Sequence, residues 1–190
     1  MGAMVKASVV KAGHDYMRST YGEATWREML ERLSDDEFRQ VQSIGLATQV
    51  PVAVDGKVFA ALVDVRFGGN SALAEGELRR GGATQADAML DGVFSVFARF
   101  ISPEQAYARA GSIITSVYTG VTSETEPLNG AKTGVLRLRG LGESLYVAPW
   151  QCGWMERAIQ RFGASGCSVT ERSWLAGRPA ADELVYDIRW

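Results

Sequence analysis

One histidine, two cysteines and five prolines in 190 residues leave little material for a metal centre or a disulfide framework. A single imidazole, His14, makes neither a multi-histidine metal site nor a catalytic triad, so a structural or surface role is expected for it. Cys152 and Cys167 have no CxxC or Cys/His cluster around them and read as small apolar residues rather than a disulfide or a zinc site. Long apolar runs are also missing. The longest, Val58 to Val63, falls far short of the roughly 18 to 20 residues that cross a bilayer, which excludes a membrane span. Lys and Arg number 20 against 22 Asp and Glu, a net charge of −2, so the basic excess of a nucleic-acid binder is absent. No basic stretch leads into an apolar block at the N-terminus, and the expected location is the cytoplasm. Gly68-Gly69 and Gly81-Gly82 are not followed by a Lys-Ser/Thr pair, which argues against a phosphate-cradling loop.

What is present is an ordinary globular composition, 46% hydrophobic and 22% charged, in a length suited to one domain. Met1 to Ala3 read as a cleavage scar, leaving residues 4–190 as that domain. Val5, Val9, Ala12 and Tyr16 recur at helical spacing, as do Trp26, Met29, Leu30 and Leu33 beyond Gly22. Ser34-Asp35-Asp36 offers capping oxygens for a further short helix. Pro51 to Val65 fits two readings: a hairpin turning at Asp55-Gly56, or a helix capped by Asp55. The glycine pairs at 68–69 and 81–82 bracket what reads as a helix terminus and a loop. Thr84 to Ile101 carries a broad apolar stripe and should be the central helix. Ser102-Pro103-Glu104-Gln105 then starts another helix that runs to about Tyr118. Val135 to Arg139 alternates as a strand with one wet face, Pro149 to Phe162 returns to helix, and Cys167–Trp174 and Glu183–Trp190 read as an antiparallel strand pair. The expected fold class is α+β, with N-terminal and central helices packed on a small C-terminal antiparallel sheet.

Few residues suggest chemistry. Glu124 and Glu126 sit in a Ser/Thr/Pro-rich connection and read as solvated acids rather than a catalytic pair. Arg137, Arg139, Arg157, Arg161 and Arg172 would fall on wet faces of the sheet and its adjoining helix. The remaining signal is aromatic and sulfur-rich: Phe94, Phe97, Tyr107, Tyr118, Trp150, Trp154 and Met155 belong to helices that must pack together. Most would serve as core, but the same set would also wall an apolar cavity, with Tyr118, Trp150 and Trp154 as its polar-tipped contacts.

Val5-Lys6-Ala7-Ser8-Val9-Val10-Lys11-Ala12, followed by Tyr21-Gly22-Glu23-Ala24-Thr25-Trp26, resembles the start of the haem-dependent nitric-oxide-binding domains. The C-terminal half, with its Trp-containing helix and a closing Tyr186-Asp187-Ile188-Arg189-Trp190, looks more like the related 4-vinyl-reductase-type domains. A paralogous family abundant in myxobacteria and Deinococcus has both features, and this chain is similar to it over nearly its whole length. The resemblance implies a ligand-binding superfamily, shared with vesicle-tethering subunits, in which helices and an antiparallel sheet enclose an apolar cavity. It also implies a helix over Asp55 to Val65 and a homodimer. Haem-binding relatives use an axial histidine in a central helix and a Tyr-x-Ser-x-Arg run, while the 4-vinyl-reductase type often holds zinc on hairpin cysteines. This sequence has neither set, which argues against both haem and zinc, and no individual functional residue carries over.

The sequence therefore leads to a non-enzymatic, cytoplasmic sensory domain that takes a small hydrophobic molecule between its central helices and its sheet. The alternative is a scaffold or adaptor with a filled core that acts by dimerising or docking to a partner.

Overall fold

The computed structural model describes residues 2–45, 47–91, 101–128, 132–141, 146–175 and 183–190. Strand β1 (Met4–Lys6) leads directly into helix α1 (Ala7–Leu30), so the helix expected from Val5 begins two residues later. Val5 instead pairs antiparallel with Val50 of β2 (Gln49–Pro51) and Tyr118 of β3 (Tyr118–Thr119). This three-stranded sheet, ordered β2-β1-β3, was not anticipated, because strands of two or three residues show no alternation to read. Within α1 the chain breaks at Gly22, at φ 84° and ψ 162°, a conformation that glycine enters without penalty. Ser34 closes a capping box with Glu37 and starts α2 (Asp35–Gln42), as its residues imply.

The two readings of Pro51 to Val65 resolve as helix α3 (Val52–Phe67). Asp55 lies in its first turn, where the helix dipole favours a carboxylate, and Val58, Phe59, Leu62 and Val63 enter the core. Gly68, at φ 56°, ends the helix in the left-handed region.

Asn70 then accepts from the amides of Ala72 and Leu73 and opens α4 (Ser71–Asp91). The central helix thus starts at Ser71, well before Thr84, and its expected continuation over 92–100 lies outside the described residues. Gly81-Gly82, read as a loop, sits inside α4. The reason is α7 (Val147–Arg161), which packs on α4 backbone to backbone. A Cβ on Gly82 would lie 1.9 Å from the Trp150 carbonyl oxygen, one on Gly81 would lie 2.1 Å from the Trp150 ring, and one on Gly153 would lie 1.9 Å from the Arg79 carbonyl oxygen.

Between these helices in sequence, Ser102 and Gln105 form a second capping box with Pro103 in the first helical turn. The helix expected to run to Tyr118 divides at Arg109 into α5 (Pro103–Ala108) and α6 (Ala110–Val117).

A four-stranded antiparallel sheet closes the fold in the order β4-β5-β7-β6, formed by β4 (Thr122–Thr125), β5 (Thr133–Arg139), β6 (Ser168–Glu171) and β7 (Glu183–Arg189). Two expectations need correction. The Ser/Thr-rich connection holds β4, whose Glu124 pairs in register with Arg137. The strand expected to reach Trp174 stops at Glu171 and turns into a short helix, α8 (Arg172–Leu175). Buried Glu171 explains the turn, because its carboxylate accepts from the Trp174 amide at 2.7 Å and the Val185 amide at 3.2 Å. Leu136, Leu138, Val169, Leu184, Tyr186 and Ile188 are buried on one face of the sheet. The opposite face is charged and paired: Arg137 with Glu126, Arg139 with Glu183, and Arg172 with Asp187, each at 2.8 Å. Arg157 and Arg161 bind Asp87 of α4, so the arginine set is spent on ion pairs. No helix among the described residues is long and apolar enough to cross a membrane.

Two glycines of α4 should respond oppositely to alanine. Gly82→Ala should lower the urea midpoint by the equivalent of about 3 kcal/mol, since backbone atoms block the added methyl. Gly76→Ala, exposed and with nothing near its Cβ, should raise it by about 0.4–1 kcal/mol. Arg172 hydrogen-bonds the Asp187 carboxylate and holds it below the usual aspartate range. Its contribution is present above the ordinary pKa of about 4 and lost as pH falls through the depressed value. Asp187→Asn should therefore cost under about 1 kcal/mol at neutral pH, the pair being well exposed, and the difference from wild type should vanish in strong acid.

Candidate ligand cavity

A cavity of about 380 Å³ lies between α4, α5, α6, α7 and the buried face of β5 and β7, with Val9 of α1 in its wall. Met89 and Leu90 come from α4, Ile113, Ile114 and Val117 from α6, and Met155, Ala158 and Ile159 from α7; Leu138 and Ile188 form its sheet side. Interiors normally pack without voids of this size, and the volume is within the range of small-molecule sites.

Of the residues singled out from the sequence, Tyr107, Tyr118, Trp150, Trp154 and Met155 all line this cavity. Phe94 and Phe97 lie outside the described residues.

Trp150 has two duties. Its indole N–H donates to Gln85 Oε1 at 2.9 Å, and Gln85 Nε2 donates on to the Val9 carbonyl at 2.8 Å, which links α7, α4 and α1. Its ring also packs edge-on against Phe59 of α3 and Tyr16 of α1, with centroids 5.0 and 5.6 Å apart. Trp150 therefore touches both the cavity and the N-terminal helical layer. Tyr107 is equally constrained: its hydroxyl lies 2.7 and 2.9 Å from the carbonyl oxygens of Glu126 and Val135 and accepts from the Val135 amide. Gly134 leaves room for its ring.

Tyr118 accepts from Gln151 Nε2 at 3.2 Å, and Gln151 Oε1 accepts from the hydroxyl of fully buried Tyr186. Burial of its hydroxyl end pushes the Tyr118 phenol up to about 12, and burial likewise holds that of Tyr186 well above the ordinary value. Both stay neutral at ordinary pH.

Sequence reasoning missed Gln85 and Gln151, which fix the aromatic walls, and Arg109. A glutamine on an otherwise apolar helical stripe was the available signal for both amides, since a buried amide needs partners. Arg109, at the junction of α5 and α6, is exposed and is the sole charged side chain among the described lining residues.

His14 is not at the cavity. It is buried on α1, 3.2 Å from Asp55 of α3 and tilted against Trp26, which makes its role structural. Burial pushes the Cys152 thiol up to about 12 and the Cys167 thiol up to about 11, so both are in the thiol form at neutral pH. Among the described residues no group of three or more His, Cys, Asp or Glu side chains is arranged to hold a metal ion.

No protein-family model and no curated protein matches the sequence. Solved structures do match. The Fe(II) unliganded H-NOX protein from K. algicida superposes with a TM-score of 0.68 at 11% identity, over 97% of this chain and 95% of that one. An oxygen-binding H-NOX domain related to soluble guanylate cyclases, in its oxygen complex, gives 0.58 at 15% identity, over 97% and 94%. A protein studied for the modulation of haem redox potential through porphyrin distortion gives 0.57 at 15% identity, over 97% and 99%. These likenesses overturn the expectation that haem is to be set aside, because haem and oxygen-binding proteins share this fold along almost its entire length. That expectation rested on one histidine-based ligand set, whereas haem iron is also held by methionine, tyrosine and cysteine. The nitric-oxide-binding half of the sequence resemblance stands at the level of architecture: the chain has the α+β fold of the H-NOX domains.

Proposed function

We propose that this chain is a non-enzymatic sensory domain that takes an apolar small molecule into the cavity between α4, α5, α6, α7 and the sheet. The observation that carries this reading is a cavity of about 380 Å³ whose described walls are almost wholly apolar. A solid scaffold has no use for such a space. Trp150 supports the sensory part of the reading, because an occupant displacing its ring presses on Gln85, Phe59 and Tyr16 and so on the α1–α3 layer.

Haem is one candidate occupant. Lining residues suit it in kind: the thioethers of Met89 and Met155 are groups that bind haem iron, and Arg109 can meet a propionate, whereas burial keeps the Tyr118 phenol protonated and so unsuited to ligation. His14 is committed to Asp55 and is not among them. A bound haem would supply an iron open to a small gaseous ligand.

Native mass spectrometry of freshly purified protein, with an absorption spectrum of the same sample, tests the proposal. The expected result is a small-molecule adduct lost on denaturation, or uptake of added haemin with a new visible band. Either occupant, at a hundred times its Kd, should stabilise the fold by about 2.7 kcal/mol. A clean apo mass, with melting unmoved by haemin and by apolar probes, would turn the reading toward the scaffold.

A further inference from the structure

The inner wall of the cavity has little polar capacity to offer. Gln85 is engaged at both ends of its amide by Trp150 and Val9, Gln151 by Tyr118 and Tyr186, and the Tyr107 hydroxyl by backbone groups of Glu126 and Val135. A polar group carried deep would leave its water behind and find few replacements. Beneath the mouth the surface is Leu138, Ile159 and Ile188, all buried.

The mouth is different. Arg109 is exposed there and takes part in no ion pair with a described residue, whereas Arg137, Arg139, Arg157, Arg161 and Arg172 are matched with carboxylates; Arg189, at the end of β7, is likewise without one but does not line the cavity. Its guanidinium is a planar fork of donors that fits a carboxylate in two parallel hydrogen bonds. With one cation at the opening, the charge to be matched is that of a monoanion rather than a phosphate dianion.

We propose that the cavity takes a monocarboxylate on a hydrocarbon body, its carboxylate held at the mouth by Arg109 and its hydrocarbon against Leu138, Ile159 and Ile188. This inference rests on the reading of the cavity as a ligand site and assigns the chemical class and orientation of the ligand.

Dodecanoate and 1-dodecanol, which share a chain and differ in head group, test it by calorimetric titration at neutral pH, with wild type and Arg109→Gln. Wild type should bind dodecanoate about tenfold or more tightly than the alcohol, a typical margin for a hydrogen bond to a charged group. Arg109→Gln should erase that margin and leave the alcohol affinity unchanged. Because Arg109 is exposed, its replacement should not move the melting temperature, which checks that the variant is folded. Equal binding of both probes, unaffected by Arg109→Gln, overturns the head-group assignment and leaves the cavity reading standing. Binding of neither probe to wild type also overturns the assignment. An occupant found by native mass spectrometry in that case would show that the cavity reading survives without it.

Discussion

The close approach of α4 and α7 governs the rest of the structure. Two helices usually keep their axes about 8–10 Å apart with side chains interleaved, but here Gly81, Gly82 and Gly153 remove the side chains and let backbone meet backbone. The glycines give up helical propensity at these points and gain contact in return. Trp150 is placed by that contact, with its ring over Gly81 and its carbonyl against Gly82, and from there it reaches α1 through Gln85 and α3 through Phe59. The same two helices, beyond their glycines, carry Met89 on one side and Met155, Ala158 and Ile159 on the other, so they are both clamp and cavity wall.

The sheet is held by a different balance. Its inner face contributes aliphatic residues and Tyr186 to the core, while its outer face alternates Arg137 and Arg139 with Glu126, Glu124 and Glu183. These exposed pairs add little individually and fix register more than stability. Glu171 is the exception. Buried and accepting from two backbone amides, it sets where β6 ends.

Much of this was legible in the sequence where one residue has one physical use. Ser34 and Ser102 announced their helices because a capping box has a fixed spacing, and Leu136 and Leu138 announced β5 because alternation with arginine has no helical reading. Gly81-Gly82 misled because a glycine pair serves equally as a loop and as a place for another helix to press, and only the partner, distant in sequence, decides between them. Val5 misled because an apolar residue before a helix satisfies helical spacing even when it pairs in a strand. In the cavity, the aromatic residues were visible as a class, but Gln85, Gln151 and Arg109 were not. Their roles come from partners or position in three dimensions; the two glutamines are marked only by standing on apolar helical stripes, and Arg109 by no local pattern. The haem expectation fails differently: lacking one ligand motif does not set aside a group whose iron accepts several ligand types, and haem and oxygen-binding proteins share this fold.

The Tyr118–Gln151–Tyr186 chain has a consequence for how the cavity meets acid and base. Both phenols are held neutral far beyond physiological alkalinity, and the amide between them does not titrate. These two phenols thus bring no charge to the described wall across the pH values a cell experiences. A pH dependence of uptake in that range would therefore not report on these two phenols, and the ionisation of the occupant is the first place to look for its origin.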